Sequence, residues 1–200
     1  MRAIARAAFV TAVLVAVIRP LPASAQPAGQ GPIVTIETTL GEIRVALDTL
    51  RAPATTANFL RYVDEHFFDD TSFYRTVTPA NQPDHPVKIE VIQGGLDDEA
   101  GAGYSPIPLE RTSVTGLRHV DGTISMARSG PDTATSEFFL CIGDQPELDF
   151  GGRRNADGQG FAAFGRVVSG MDLVRKIQQS PASGQRLAPE IRIVAIRRAN

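Results

Sequence analysis

The 200-residue chain has a single cysteine, Cys141. That excludes an internal disulfide, and a chain of this size needs none to hold its core. Leu140 and Ile142 flank it, so it reads as buried packing and not as a nucleophile. An excess of one charge is also missing. Twenty Lys and Arg stand against 22 Asp and Glu, for a formal net charge of −2, and no basic block stands out to attract nucleic acid or an anionic membrane. The three histidines, His66, His85 and His119, are scattered without metal or triad spacing and read as surface or structural residues. Gly94-Gly95 and Gly101-x-Gly103 are not followed by a helical pattern, as a phosphate-cradling loop requires. The stretch Asn155-Ala156-Asp157-Gly158-Gln159-Gly160 is rich in oxygen donors, but it lacks the ligand spacing and closing Glu of a calcium loop. Turn chemistry accounts for Asp157-Gly158. The apolar run at 7–18 is about a dozen residues long, short of the roughly 20 a bilayer span needs.

That run belongs to the first 25 residues, which have the layout of a secretory signal: Arg2 and Arg6, the apolar stretch, then Ala23-Ser24-Ala25 as a small-x-small cleavage pattern. Cleavage would leave Gln26 first and place the protein in the periplasm or outside the cell; an uncleaved anchor is the alternative. Residues 26–32, rich in Pro, Gly and Gln, read as a flexible tether. Residues 33–200 are then one domain with a core large enough to be stable alone.

Within that domain short alternating runs separated by Gly, Pro and Asp dominate, which is the spacing of an all-β barrel or sandwich. Strands are expected at 33–38 and 42–47, joined as a hairpin through Thr39-Leu40-Gly41, and at 72–77, 88–93, 122–126, 137–142, 162–168 and 190–197. Helices are expected at 53–65, with Pro53 in the first turn, and at 171–179. The long stretch 94–120 carries no resolvable pattern, and long loops in compact domains tend to be functional.

Three strand segments carry chemistry. In Glu137-Phe138-Phe139-Leu140-Cys141, alternation sends Phe138 and Leu140 to one face and Phe139 to the other, so one phenylalanine must leave the core. Phe73-Tyr74-Arg75 and Val91-Ile92-Gln93 put a guanidinium and a carboxamide at strand positions. In Gly122 to Arg128, the small Ala127 follows a strand, as a site admitting a flat ring would require.

Phe73-x-Arg75, Gln93-Gly94-Gly95, Ser125-Met126-Ala127, Ser136-x-Phe138-Phe139 and Phe164-Gly165-x-Val167 occur in the order found in cyclophilins. The chain resembles that family of peptidyl-prolyl cis-trans isomerases from about residue 33 to 196, beginning with its Thr-x-x-Gly hairpin and Pro53-x-Thr55-x-x-Asn58-Phe59. The resemblance implies an eight-stranded antiparallel β-barrel capped by two helices. It implies that Arg75 is the catalytic residue with Gln93 as its companion, and that Val91, Ala127, Phe139 and Leu148 form the pocket around the substrate proline. Arg128 and Ser129 would offer backbone groups to the peptide, and Phe73, Glu137 and Phe161 count among the substrate-binding positions. The family needs no metal or organic cofactor, is commonly monomeric, and acts on proline-containing unfolded or flexible polypeptides. A weakly catalytic proline-binding module or holdase on the same barrel is the alternative, because recognition needs the pocket but not a productive arginine.

The sequence departs from the family pattern in several places. Glu147 stands where many cyclophilins carry a tryptophan, which implies weak binding of cyclosporin-type ligands. Phe161 replaces a frequent pocket histidine, and Tyr74 a histidine beside the arginine. Residues 78–87 read as an insertion, and Glu90 falls where a pocket phenylalanine is usual. Glu137 replaces a frequent glutamine, and a carboxylate there is expected to pair with Arg75 and orient it.

Overall fold

The computed structural model describes residues 31–96 and 103–199; the proposed signal segment and most of the tether lie outside the described residues. Nine strands occur among them: β1 (Ile33–Thr38), β2 (Gly41–Leu47), β3 (Ser72–Val77), β4 (Val91–Gly95), β5 (Thr123–Met126), β6 (Phe138–Cys141), β7 (Ala162–Ser169), β8 (Ala182–Ser183) and β9 (Arg186–Arg198). Eight of them close a ring of antiparallel pairs in the order β1-β2-β7-β5-β6-β4-β3-β9, with β9 returning to β1. The two-residue β8 is a hairpin arm on β9. Helices α1 (Pro53–Asp64) and α3 (Met171–Gln178) pack against the ring, and a single turn, α2 (Thr112–Thr115), sits in the long connection before β5. The barrel and its two main helices are those expected.

Period-two patterning builds the interior. Val34 and Ile36 of β1 meet Ile43, Val45 and Leu47 of β2, all with no exposed surface. The first helix drops Phe59 into the barrel, where its ring lies 5.1 Å from Phe68, 5.5 Å from Phe138 and 5.2 Å from Phe164. Proline at the first helical position is compatible with a helix start, but no side chain of the preceding residue caps it. The carboxylate of Glu110 does so from the long connection instead, accepting the Ala54 and Thr55 backbone N–H groups at 3.1 and 2.8 Å. It satisfies two of the donors that a helix start leaves open.

Some boundaries differ from those the pattern predicts. The strand expected at 88–93 begins only at Val91, because residues 82–90 are folded back on the Gln82 carboxamide, which donates to Thr78 O and Ile89 O and accepts from Ile89 N. Glu90 O still accepts Ile142 N–H at 3.0 Å, but the ladder with β6 runs only from Val91. The last strand starts four residues early, at Arg186, because the β8 hairpin extends it. Gly94 and Gly95 complete β4. A Cβ on Gly94 would lie 2.7 Å from Ser72 O, and Gly95 has φ of 116° with Ser136 O 2.9 Å from where a Cβ would be. The pair is thus required by close strand approach.

The aromatic cluster should dominate stability. Phe138→Ala removes a fully buried ring touching Phe59, Phe68 and Phe73, and urea unfolding should show a loss of about 3–5 kcal/mol. Leu50→Ala, at a residue 71% exposed, should change stability by less than about 0.5 kcal/mol.

Candidate active site

The barrel has a second, smaller apolar cluster on its outer face, made of Val77, Ile89, Val91, Phe139, Cys141 and Leu148, with Ala127 and Phe161 packed against it. Phe138 and Leu140 belong to the interior, so the alternation of β6 divides the two phenylalanines as the sequence requires. Strand register sets the polar groups beside this cluster. Arg75 of β3 pairs with Gln93 of β4, Gln93 with Phe139 of β6, and Phe139 with Ser125 of β5. These four residues form one lateral row across four neighbouring strands.

Arg75 reaches that face through an irregularity. Residues 73 and 75 would share one face of a regular strand. The β3 ladder instead shifts register between Phe73 and Arg75 against both β4 and β9, and Tyr74 is the extra residue of a bulge. Phe73 is consequently turned into the barrel, fully buried with its ring 5.8 Å from Phe138. This corrects the assignment of Phe73 to the substrate-binding set: it shapes the core under the site and does not line it.

The guanidinium is held on two sides. Arg75 Nη1 donates to Gln93 Oε1 at 2.8 Å, while Nε and Nη2 donate to Gln185 Oε1 at 2.9 and 2.7 Å. Gln185 in turn donates to Asn81 O at 3.2 Å. Gln93 Nε2 donates to Tyr74 Oη at 2.7 Å, and the tyrosine hydroxyl donates to Glu137 Oε1. Glu137 therefore does not pair with Arg75 as expected; it ends a relay through Tyr74 and Gln93. Burial pushes the Arg75 guanidinium below its usual value, while its electrostatic interaction with Tyr74 and Glu137 pulls the other way. Two neutral amides orient the cation without neutralising it.

The floor is braced from beneath. The Phe139 ring lies parallel to the His119 imidazole, with centroids 6.0 Å apart and planes at 17°, and edge-on to Phe161 at 5.3 Å. His119 is buried, with Nδ1 2.7 Å from Asp149 Oδ1 and Nε2 2.9 Å from Ser125 Oγ. Donation from Nδ1–H to the carboxylate leaves Nε2 to accept the serine hydroxyl. Sequence spacing gave no sign of this grouping of Ser, His and Asp. Ser125 has no exposed surface, so its hydroxyl is a brace and not a nucleophile. Cys141 is inert for the same reason: burial raises its thiol well above the usual value.

The cleft between the guanidinium and this floor measures about 310 Å³. Of the residues named from the sequence, Arg75, Gln93, Val91, Ala127 and Arg128 line it, together with Ser129, Glu137, Phe139, Leu148 and Phe161. The Ser129 N–H is already donated to Thr133 Oγ1 at 3.1 Å. Arg128 sends its side chain to Asp157 as a two-pronged pair at 2.8 and 2.9 Å, which also occupies the acid of the oxygen-rich loop. Glu147 pairs with Arg153 at 2.7 Å. Ile89, Arg154 and Asn155 also line the cleft and escaped the sequence reading. Ile89 was visible as the residue two before Val91, whereas Glu90 turns away and accepts from Gln178 at 3.0 Å. Nothing local pointed to Arg154, and Asn155 stood out only as part of the oxygen-rich loop.

Residues 33–198 match the family described as cyclophilin type peptidyl-prolyl cis-trans isomerase/CLD. The chain belongs to this family. It is 37% identical over 147 residues to "Peptidyl-prolyl cis-trans isomerase A" of Dickeya dadantii, covering 73% of this chain and 70% of that one. It is 34% identical over 152 residues to a peptidyl-prolyl cis-trans isomerase of Acinetobacter baylyi, covering 76% and 74% respectively. A crystal structure of a cyclophilin type isomerase from Cryptosporidium parvum shares the fold, with a TM-score of 0.67 and 22% identity over 84% of this chain and 99% of that one.

Gln185 holds the Arg75 guanidinium from the side opposite Gln93. Gln185→Ala should lower kcat by about tenfold with KM within about twofold, because it frees the guanidinium without touching the apolar floor. Steady-state isomerisation kinetics separate the two constants.

Proposed function

We propose that this isomerase acts on exported polypeptides, with Arg75 assisting rotation of the X-Pro bond. Amide resonance raises a barrier of about 18–20 kcal/mol, and uncatalysed X-Pro bonds turn over in tens to hundreds of seconds. As the bond twists, the prolyl nitrogen becomes pyramidal and regains a lone pair. A donor aimed at that nitrogen is worth more in the twisted state than in the planar one, which is the requirement for catalysis. The observation carrying this reading is the shared row: the clamped, partly desolvated guanidinium of Arg75 stands over the same cleft as the Phe139 ring.

The proline ring would rest on Phe139 between Val91, Leu148 and Ala127, fixing one side of the bond while the other turns. Dry apolar walls remove water that favours the polar planar amide. The related structure from Cryptosporidium parvum was obtained in the presence of the dipeptide Ala-Pro, which supports a proline-containing ligand for this fold. No bond is broken, so the step needs neither nucleophile nor metal. Action outside the cytoplasm rests on the signal-like layout of the first 25 residues. Mass spectrometry of the periplasmic or secreted protein should find Gln26 as its amino terminus; a protein retained in the cytoplasm with Met1 intact overturns that part.

Arg75→Ala should lower kcat/KM for an Ala-Pro-containing peptide by about 10²–10³-fold, as expected for loss of one transition-state donor. Circular dichroism should show the barrel intact. Near-normal turnover in a folded variant refutes the arginine role and leaves the site as a proline-binding groove.

A further inference from the structure

Arg154 is the cleft residue that the arrangement around Arg75 does not use. It stands on the connection between Leu148 and β7, half-buried, with its backbone N–H donated to Glu147 O at 3.2 Å. One terminal nitrogen, Nη1, is spent on the insertion before β4, donating to Gln82 Oε1 and Val87 O, both at 2.8 Å. Those two bonds lock the side chain in place against the cleft. The other edge of the guanidinium, Nε and Nη2, has no acceptor among the described residues. That edge is the planar fork that matches a carboxylate with two parallel hydrogen bonds.

The acids around the cleft are committed elsewhere. Glu137 accepts from Tyr74, Asp157 holds the Arg128 fork, Glu147 holds Arg153 and Glu90 accepts from Gln178. No carboxylate among the described residues makes an ion pair with Arg154. Burial and, after it, the positive charge of Arg75 across the cleft both push its guanidinium below the usual value. Lys88 donates to the backbone oxygen of the same Gln82 whose carboxamide holds Arg154. An incoming anion would relieve this repulsion and complete the fork.

We infer that Arg154 is a specificity-determining residue, and that the cleft selects polypeptides carrying an Asp or Glu side chain within two residues of the proline. The inference rests on the isomerase reading for its substrate and goes beyond it in naming the substrate's charge.

Acetylated, amidated peptides with Glu, Gln or Lys placed in turn at each position within two residues of Ala-Pro test it, because only the side chain then supplies a carboxylate. Wild-type kcat/KM should favour Glu over Gln by about fivefold at one position and disfavour Lys, with the preference shrinking as salt rises. In Arg154→Gln the Glu/Gln ratio should fall to about one, and in Arg154→Glu the order should reverse toward Lys. Equal turnover of the three peptides by the wild type overturns the inference, with no variant needed. So does a Glu preference that survives in folded Arg154→Gln. If no peptide is turned over at all, the isomerase reading is what fails, and affinities of the same peptides measured by calorimetry still decide the charge preference.

Discussion

The site depends on the bulge at Tyr74. Without that extra residue, the alternation of β3 would put Arg75 on the same face as Phe73, inside the barrel among phenylalanine rings. A guanidinium buried there without partners would cost several kcal/mol. The bulge settles two demands at once: it lets Phe73 seal the interior against Phe138 and delivers Arg75 to the outer face beside Gln93. The tyrosine that forms the bulge then becomes a link in the polar chain, taking a hydrogen bond from Gln93 and giving one to Glu137.

From that starting point the site divides into a polar wall and an apolar floor. The wall keeps its cation available. A carboxylate paired directly with Arg75 would neutralise it, whereas the amide oxygens of Gln93 and Gln185 fix its direction and leave the charge in place, as the proposed donation to a prolyl nitrogen requires. The floor is backed by a buried polar network. His119 sits parallel to Phe139 and is held through Ser125 and Asp149. A satisfied network of this kind fixes a ring more narrowly than apolar packing alone.

Two irregular segments adjoin the cleft, 78–90, which lends it Ile89, and the connection at 149–160, which lends it Arg154 and Asn155. They are tied to each other by Arg154, which reaches Gln82 and Val87, and to the barrel by Asn81, which receives Gln185 and donates to Thr76 O. Loops placed on a rigid barrel in this way can vary the chemistry of the rim while the row on the strands stays fixed.

Much of this was legible from the sequence because strand alternation and turn chemistry are local. The first hairpin, the helix begun by Pro53, the outward turn of Phe139 and the ordered motifs around Arg75, Gln93 and Ala127 follow from spacings of a few residues. Other features follow from ring closure, which joins residues far apart in the chain. The bulge that removes Phe73 from the cleft, the grip of Gln185 on Arg75 from 110 positions away, the diversion of Glu137 to Tyr74 and the arrival of Arg154 beside Gln82 are all long-range contacts. The sequence by itself determined that there would be a barrel with an outward aromatic and a strand-borne arginine. Only the tertiary structure decided which partners that arginine keeps and which charge stands at the rim, because those depend on strand register and loop anchoring, and neither is encoded within any one segment.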